Sequence, residues 1–130
     1  MMIFGHRFIP NNSFYHVINI EGISNTPPSS TIYLTFNEQN LDIINHAKLN
    51  DIQFALEIEN LRELIYASAL GASYIITTKQ NAKIFQEIAE NYLFDAKILV
   101  HIEKDEEIEI FAKEGIDGVI YSNAIIKINS

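Results

Sequence analysis

The stretch Leu70-Gly71-Ala72-Ser73-Tyr74-Ile75-Ile76 leads from the end of a helical pattern into a short run of aromatic and β-branched residues. A glycine at this point suits the left-handed residue that follows a helix C-terminus, and the apolar run after it is typical of a buried strand. The later stretch Glu114-Gly115-Ile116-Asp117-Gly118-Val119-Ile120 has the same order. Two copies of one helix-to-strand phrase predict a repeated strand-helix unit.

Strand candidates recur at nearly constant spacing through the rest of the chain. They are residues 31–36, 52–58, 73–77, 97–102 and 117–121, and their starts lie 20 to 24 residues apart. Each interval has room for the crossover helix that joins parallel strands, and helical periodicity is visible in the intervals, for example at Leu61, Leu64 and Ile65. We therefore predict an α/β fold, a three-layer Rossmann-like domain with a mostly parallel sheet of five or six strands.

The first 30 residues differ from this repeat. Residues 10–13 and 24–30 are rich in Pro, Asn and Ser, which is turn or loop chemistry. Strand candidates remain at residues 2–4 and 15–20, and no amphipathic helix is visible between them. We therefore predict a single domain over 1–130, in which 1–30 is an irregular N-terminal segment and 31–130 holds the strand-helix units. The N-terminal segment is either an appendage or a degenerate first unit.

Composition excludes several classes of function. The chain of 130 residues has a net charge of -8, with nine scattered Lys and Arg, so it lacks the basic surface that nucleic acid binding requires. No apolar run approaches the roughly 20 residues that span a bilayer, and the N-terminus lacks signal-peptide features. There is no cysteine, and the four histidines have no metal-ligand spacing. We expect a cytoplasmic protein without direct membrane insertion and without a metal site.

Ligands of parallel α/β folds bind at the carboxyl ends of the strands. The polar residues expected at that edge are Asn37, Glu38, Glu57, Glu59, Thr77, Thr78, Lys79, His101, Glu103, Ser122 and Asn123. One interpretation is a small polar pocket in which amides, hydroxyls and Lys79 hold an anion. The alternative is that the amides and hydroxyls cap helices and the carboxylates are solvated.

Gly5-His6-Arg7 is a second candidate, because a flexible glycine followed by two side chains that can be cationic could hold a phosphate. The alternative is a strand end followed by a turn. For catalysis, Glu57 and His101 could serve as base and acid at the strand ends. No nucleophile, phosphate-loop or paired-carboxylate motif accompanies them, and we predict no catalytic residue.

From Thr31 onward the chain resembles the N-terminal nucleotide-binding domain of TrkA-type and RCK potassium-transport regulators. The resemblance rests on the stretches 55–72, 74–78, 97–107 and 115–120. Glu38 stands near the position of the family's ribose-binding acidic residue, and His101 stands where the family commonly has arginine. The family's G-x-G-x-x-G fingerprint is absent, since only Gly5 fits its first glycine.

The resemblance implies a regulatory or ligand-binding module without enzymatic activity, in which NAD or another adenine nucleotide is possible but the cofactor is unknown. The predicted binding residues are Gly5, His6, Arg7, Asn37, Glu38, Glu57, Thr77, Thr78, Lys79 and His101. A homodimer is expected, with apolar residues near the termini between its subunits: Phe8, Phe14, Tyr15, Ile125, Ile126 and Ile128. The strand-helix phrases also resemble half of a (βα)8 barrel, and the alternative function is a small enzyme acting on a phosphorylated metabolite at the strand C-terminal rim.

Overall fold

The computed structural model describes residues 1–128 and contains eight strands and four α-helices in that range. The strands are β1 (Met2–Phe4), β2 (Phe14–His16), β3 (Thr31–Thr35), β4 (Phe54–Glu57), β5 (Tyr74–Thr77), β6 (Lys97–His101), β7 (Gly118–Ile120) and β8 (Ile125–Lys127). The helices are α1 (Leu41–Leu49), α2 (Leu61–Leu70), α3 (Ala82–Asn91) and α4 (Glu106–Lys113). Short 3-10 helices cover Ile20–Asn25, Glu38–Asn40 and Ser122–Ala124.

All eight strands belong to one sheet in the order β1-β7-β6-β5-β4-β3-β2-β8, and every pairing is parallel among the described residues. The α/β class with a parallel sheet is thus confirmed. The sheet has more strands than the expected five or six, because the N-terminal segment supplies β1 and β2 and the C-terminal end supplies β8. The candidate at 2–4 is confirmed as β1, and the candidate at 15–20 overlaps β2 only at its first two residues, whereas β8 was not predicted.

The sheet is strongly curled. Strands β1 and β2 lie six positions apart in the strand order, so in a flat sheet they would be separated by about 29 Å. The ring centroids of Phe4 on β1 and Phe14 on β2 are instead 4.9 Å apart, and both rings contact Tyr74 on β5 edge-on. The two ends of the sheet therefore meet across its concave face, which is filled by side chains.

Each face of the sheet has its own apolar core. The concave cluster consists of Phe4, Phe14, Tyr33, Ala55, Ile76, Leu99, Ile120 and Ala124. In the second cluster, strand residues such as Leu56 and Val100 pack against helix residues such as Ile44, Leu64 and Phe111. Buried residues of all four helices belong to this second cluster, so the helices cover only the convex face among the described residues.

The Rossmann-like α/β arrangement expected from the sequence is present, but with one layer of helices instead of two around a curled sheet, close to the half-barrel that the phrases also resemble. The reason is topological. From β3 to β7 each strand lies beside the next strand in the chain, and right-handed crossovers that advance in one direction put every helix on the same side. A helix layer on both faces requires a reversal of strand order.

Local signals at the helix ends behave as the sequence indicates. The Asn60 side chain accepts a hydrogen bond from the Glu63 backbone N–H at 2.9 Å and caps α2. Gly71 and Gly115 adopt positive φ angles of 91° and 75° after α2 and α4. Among residues 1–128, no helix has the length and apolar character needed to cross a bilayer.

The apolar residues expected between subunits differ in their exposure to solvent. Phe14 is 2% exposed inside the concave core, so it is not available to a partner. Phe8 and Ile126 are 71% and 40% exposed and remain accessible. The homodimer stays a prediction.

Gly118 lies so close to its neighbours in the sheet that a Cβ atom there would force them to shift. A Cβ atom there would lie 2.7 Å from Leu99 Cδ2 and 2.8 Å from the Met2 carbonyl oxygen. We expect Gly118→Ala to lower the free energy of unfolding by about 1–3 kcal/mol, because the neighbouring strands must shift. The matched control is Gly22→Ala, whose Cβ would meet its neighbours at 3.4 Å or more, an ordinary contact. Urea denaturation measures both, and equal losses would contradict this packing.

Candidate functional site

The strand register decides which polar side chains face the concave side at the C-terminal ends of the strands. Directly paired residues of neighbouring strands point to the same face. Glu57 pairs with Ile76 and His101 pairs with Ile120, and both isoleucines belong to the concave core. Glu57 and His101 therefore point to the concave side. By the same rule His16, the partner of Tyr33, points there too.

Glu57 and His101 line one pocket of about 400 Å³ at this rim. They come from β4 and β6, and the residues after β5 form the wall between them, with Thr78 and Lys79. His101 Nε2 lies 2.8 Å from Ser122 Oγ, which fixes the edge of the imidazole toward β7. The structure thus brings together a carboxylate, an imidazole, a hydroxyl and an ammonium group from successive strand ends.

Lys79 is already paired. Its ammonium group forms ion pairs with Glu107 Oε2 and, at 3.9 Å, with Glu103 Oε1. Glu107 Oε1 also accepts hydrogen bonds from the backbone N–H groups of Glu103 and Lys104. The bond from Lys79 and then these backbone bonds lower the pKa of Glu107 to about 2. The positive charge expected to hold an anion is therefore neutralised by two carboxylates.

Beside the pocket lies a second group of polar residues on β2, β3 and β8. Burial, and then the negative charge of Glu57, raise the pKa of Tyr33 far above its usual range, so its phenol stays protonated. Burial and then the charge of Lys127 lower the pKa of His16, while Glu57 acts in the opposite direction. The His16 and Tyr33 rings contact each other edge-on at 5.5 Å between centroids. Glu57 is thus the residue shared by the pocket and this group.

The sequence did not indicate His16, Tyr33 or Lys127 as site residues. Tyr33 could have been found from the period-two alternation of its strand, which places it on the face opposite Leu34. The other two depend on the pairing of β2 with β3 and β8, which aligns His16 with Lys127. No pattern in the local sequence predicts that pairing.

The segment Gly5-His6-Arg7 follows β1 and is bonded to the loop that precedes α4. His6 Nδ1 accepts a hydrogen bond from the Phe8 backbone N–H at 3.1 Å, and His6 Nε2 lies 3.2 Å from Asp105 Oδ2. The Tyr121 hydroxyl donates to the other oxygen of Asp105, and this bond and then the one from His6 lower the pKa of Asp105. The Arg7 guanidinium lies over the Phe8 ring at 4.6 Å.

Gly5 has a packing reason for being glycine. Its φ angle is 93°, and a Cβ there would lie 2.8 Å from Asn123 Oδ1. The Asn123 side-chain amide donates to the Gly5 carbonyl oxygen at 2.8 Å. These contacts agree with the alternative interpretation of Gly5-His6-Arg7 as a strand end followed by a turn.

The remaining predicted site residues lie away from the pocket or face away from it. Asn37 caps the 3-10 helix Glu38–Asn40 by accepting from the Asn40 backbone N–H at 3.0 Å. Glu38 is exposed. Thr77 is buried and pairs with Val100 of the convex core, so its side chain points toward the helices although the residue borders the pocket. Five of the ten predicted residues border the pocket: Glu57, Thr77, Thr78, Lys79 and His101.

Within residues 1–128, no three His, Asp or Glu side chains lie close enough together to hold a metal ion. No protein-family model matches the chain, and no curated protein matches it either. What the chain does is therefore inferred from the chemistry of the rim.

The ion pair of Lys79 with Glu107 has a testable dependence on pH. Glu107 has a pKa of about 2 in the folded chain against an ordinary value of 4.5, so its contribution to stability is complete above the ordinary value and is lost as the pH falls toward 2. We expect Glu107→Gln to lower the free energy of unfolding by about 0.5–1 kcal/mol near neutral pH, with the difference from the parent chain shrinking in acid.

The matched control is Glu109→Gln, an exposed position on the same helix. Thermal unfolding across a pH series measures both variants. A Glu107→Gln difference that stays constant with pH, or that grows in acid, would contradict the ion pair.

Proposed function

We propose that this chain is a non-enzymatic module that binds a small polar ligand at the C-terminal rim of its curled sheet. The observation that carries the proposal is that Glu57 and His101, from two different strands, border one pocket of about 400 Å³ at this rim. Ligand pockets commonly have volumes of about 300–1,000 Å³, with a few placed polar groups above apolar side chains. Here Glu57 and His101 are paired in the sheet with Ile76 and Ile120 of the concave apolar core, and the apolar side chain of Ile58 also borders the pocket.

The charges of the pocket favour a ligand that presents hydrogen-bond donors. Lys79 is engaged by Glu103 and Glu107, whereas the carboxylate of Glu57 faces the concave side. A carboxylate accepts hydrogen bonds and donates none, so vicinal hydroxyls or an ammonium group complement it. An adenine nucleotide would meet this requirement through its ribose hydroxyls, as acidic residues do in dinucleotide-binding folds. Its phosphates would find no unpaired cation among the described residues that line the pocket.

The kinship with TrkA-type and RCK domains, the role in potassium transport and the cytoplasmic location stay predictions. The proposal depends only on the residues of the rim. It is compatible with a regulator that binds its nucleotide mainly through the ribose.

A binding experiment tests the proposal with adenosine, AMP, ATP, NAD, NADH and cyclic dinucleotides as probes. We expect at least one of them to raise the thermal unfolding temperature and to bind in calorimetry. Glu57→Gln and His101→Asn should each weaken that binding about tenfold, because each variant loses a hydrogen bond between the original side chain and the ligand.

The matched control is Glu59→Gln, which removes the same charge from an exposed side chain two residues further along the chain. Its affinity should equal that of the parent chain. Equal weakening by Glu57→Gln and Glu59→Gln would indicate a general charge effect and contradict a site at Glu57, and the absence of binding by every probe would contradict the proposal for nucleotides.

One observation favours an enzyme as the second candidate function. His101 is held by Ser122 at 2.8 Å on one side of the pocket, and Glu57 lies on the other side, so a bound molecule would meet two groups that can exchange protons. Its substrate would be a phosphorylated metabolite, the substrate class of the alternative function predicted from the sequence. Incubation with a panel of sugar phosphates, followed by phosphorus and proton NMR, separates the two candidates.

A binding module should leave every compound of that panel unchanged. An enzyme should convert one of them, and Glu57→Gln or His101→Asn should reduce the conversion by about a hundredfold or more without lowering the unfolding temperature. Conversion that persists in both variants would exclude these residues as acid and base.

A further inference from the structure

A second pocket of about 400 Å³ lies at the N-terminal ends of the strands, at the edge of the sheet opposite the rim of Glu57 and His101. We call this edge the N-terminal mouth of the curled sheet. The pocket lies where β2, β3 and β5 begin, between the segment 11–13 and the turn 27–30. The turn is internally bonded, since both the backbone N–H and the hydroxyl of Ser30 donate to the Pro27 carbonyl oxygen. This mouth is separate from the rim of Glu57 and His101, because parallel strands put their two ends at opposite edges of the sheet.

The floor of the pocket is aromatic. Phe4, Phe14 and Tyr74 contact one another, with centroid distances from 4.9 to 5.7 Å. Phe4 and Phe14 are 4% and 2% exposed, whereas Tyr74 is only half-buried and presents the accessible part of this floor. The mutual packing of the rings fixes the Tyr74 side chain before any ligand arrives.

The wall consists of neutral hydrogen-bonding side chains. They are Asn11, Asn12, Ser13, Ser30, Thr31 and Gln53. None of the described residues that line this pocket carries a charge, although charged residues make up 20% of the chain. A wall drawn at random from this sequence would contain two or three of them.

Part of this wall is already oriented by hydrogen bonds and part is free. The Asn11 amide donates to the Ile3 carbonyl oxygen and accepts from the Asn12 backbone N–H. The Thr31 hydroxyl bonds to Gln53 Oε1 at 3.2 Å. Among residues 1–128 the Asn12 side chain and the amide nitrogen of Gln53 have no protein partner. An amide offers a donor and an acceptor together, which is the pair that adjacent hydroxyl groups satisfy.

We propose that this N-terminal mouth is a second binding site, for an uncharged sugar. The C–H face of a sugar ring packs on the accessible part of Tyr74, while its hydroxyls exchange hydrogen bonds with Asn12, Ser13 and Gln53. A phosphorylated sugar is disfavoured, because the wall has no cation to balance a phosphate and the chain carries a net charge of -8. The site is independent of the ligand proposed for the opposite rim.

NMR titration of the isotope-labelled full chain tests this site, with glucose, galactose, ribose and maltose as probes. At least one of them should cause saturable shifts at the side-chain amides of Asn12 and Gln53 and at Tyr74, at concentrations up to roughly 50 mM, where millimolar affinity is visible. Glucose 6-phosphate should bind about tenfold more weakly than glucose if glucose is a ligand.

The double variant Asn12→Ala/Gln53→Ala should weaken the sugar about tenfold or more, and its amide signals elsewhere should stay in place, which shows that the fold is kept. The matched control Gln39→Ala/Asn45→Ala removes the same two amide types from exposed positions outside this pocket and should bind as the parent chain does. Glu57→Gln should also leave the sugar affinity unchanged, which separates this site from the rim.

Three results would overturn the proposal: no saturable shift with any of the four sugars, binding that survives in the double variant, or equal binding of the phosphorylated sugar. Adenosine is titrated in the same way, and shifts at these residues with adenosine but with none of the four sugars would assign the mouth to a nucleobase and would also overturn the proposal.

Discussion

The contact of Phe4 with Phe14 and Tyr74 is the constraint on which both proposed sites depend. It joins strands that are six positions apart in the sheet and therefore sets the curl. Because the sheet is curled, side chains at the ends of different strands converge instead of pointing in parallel. Glu57 and His101 border one pocket at the carboxyl ends, and the rings of Phe4, Phe14 and Tyr74 form the floor of the neutral pocket at the opposite edge.

Much of the fold could be predicted from the sequence, because its signals are local. The phrase that runs from a helix end through Gly71 or Gly115 into a β-branched strand located β5 and β7, and its spacing located β3, β4 and β6. The curl could not be predicted in this way. It depends on Phe4 and Phe14 meeting across a sheet in which β1 and β2 are not neighbours, and such non-local pairing has no period in the chain. The position of the helices on one face follows from strand order, which is equally non-local.

In the candidate site, too, the features with local sequence signals could be predicted and those that depend on non-local contacts could not. Glu57 and His101 could be predicted because they end clear strands and ligands gather at strand ends in parallel sheets. The charge state of the pocket could not, since Lys79, in the turn after β5, is neutralised by Glu107 from the first turn of α4. Gly5 fits the first glycine of the dinucleotide fingerprint in sequence, yet in the fold it packs closely against Asn123 and accepts a hydrogen bond from the Asn123 side chain. A residue's immediate neighbours identify its element, whereas its role depends on partners that only the fold brings near.

The most direct test of this account is a proton NOE experiment on the chain with labelled Phe and Tyr rings. Cross-peaks between the ring protons of Phe4 and Phe14, and from both to Tyr74, are expected, because the three rings pack within van der Waals reach. A sheet that is flat or only gently twisted would keep Phe4 and Phe14 about 29 Å apart. Absence of the Phe4 to Phe14 cross-peak, in a sample that still shows the β2 to β3 backbone contacts, would contradict the curl and with it the convergence of both pockets.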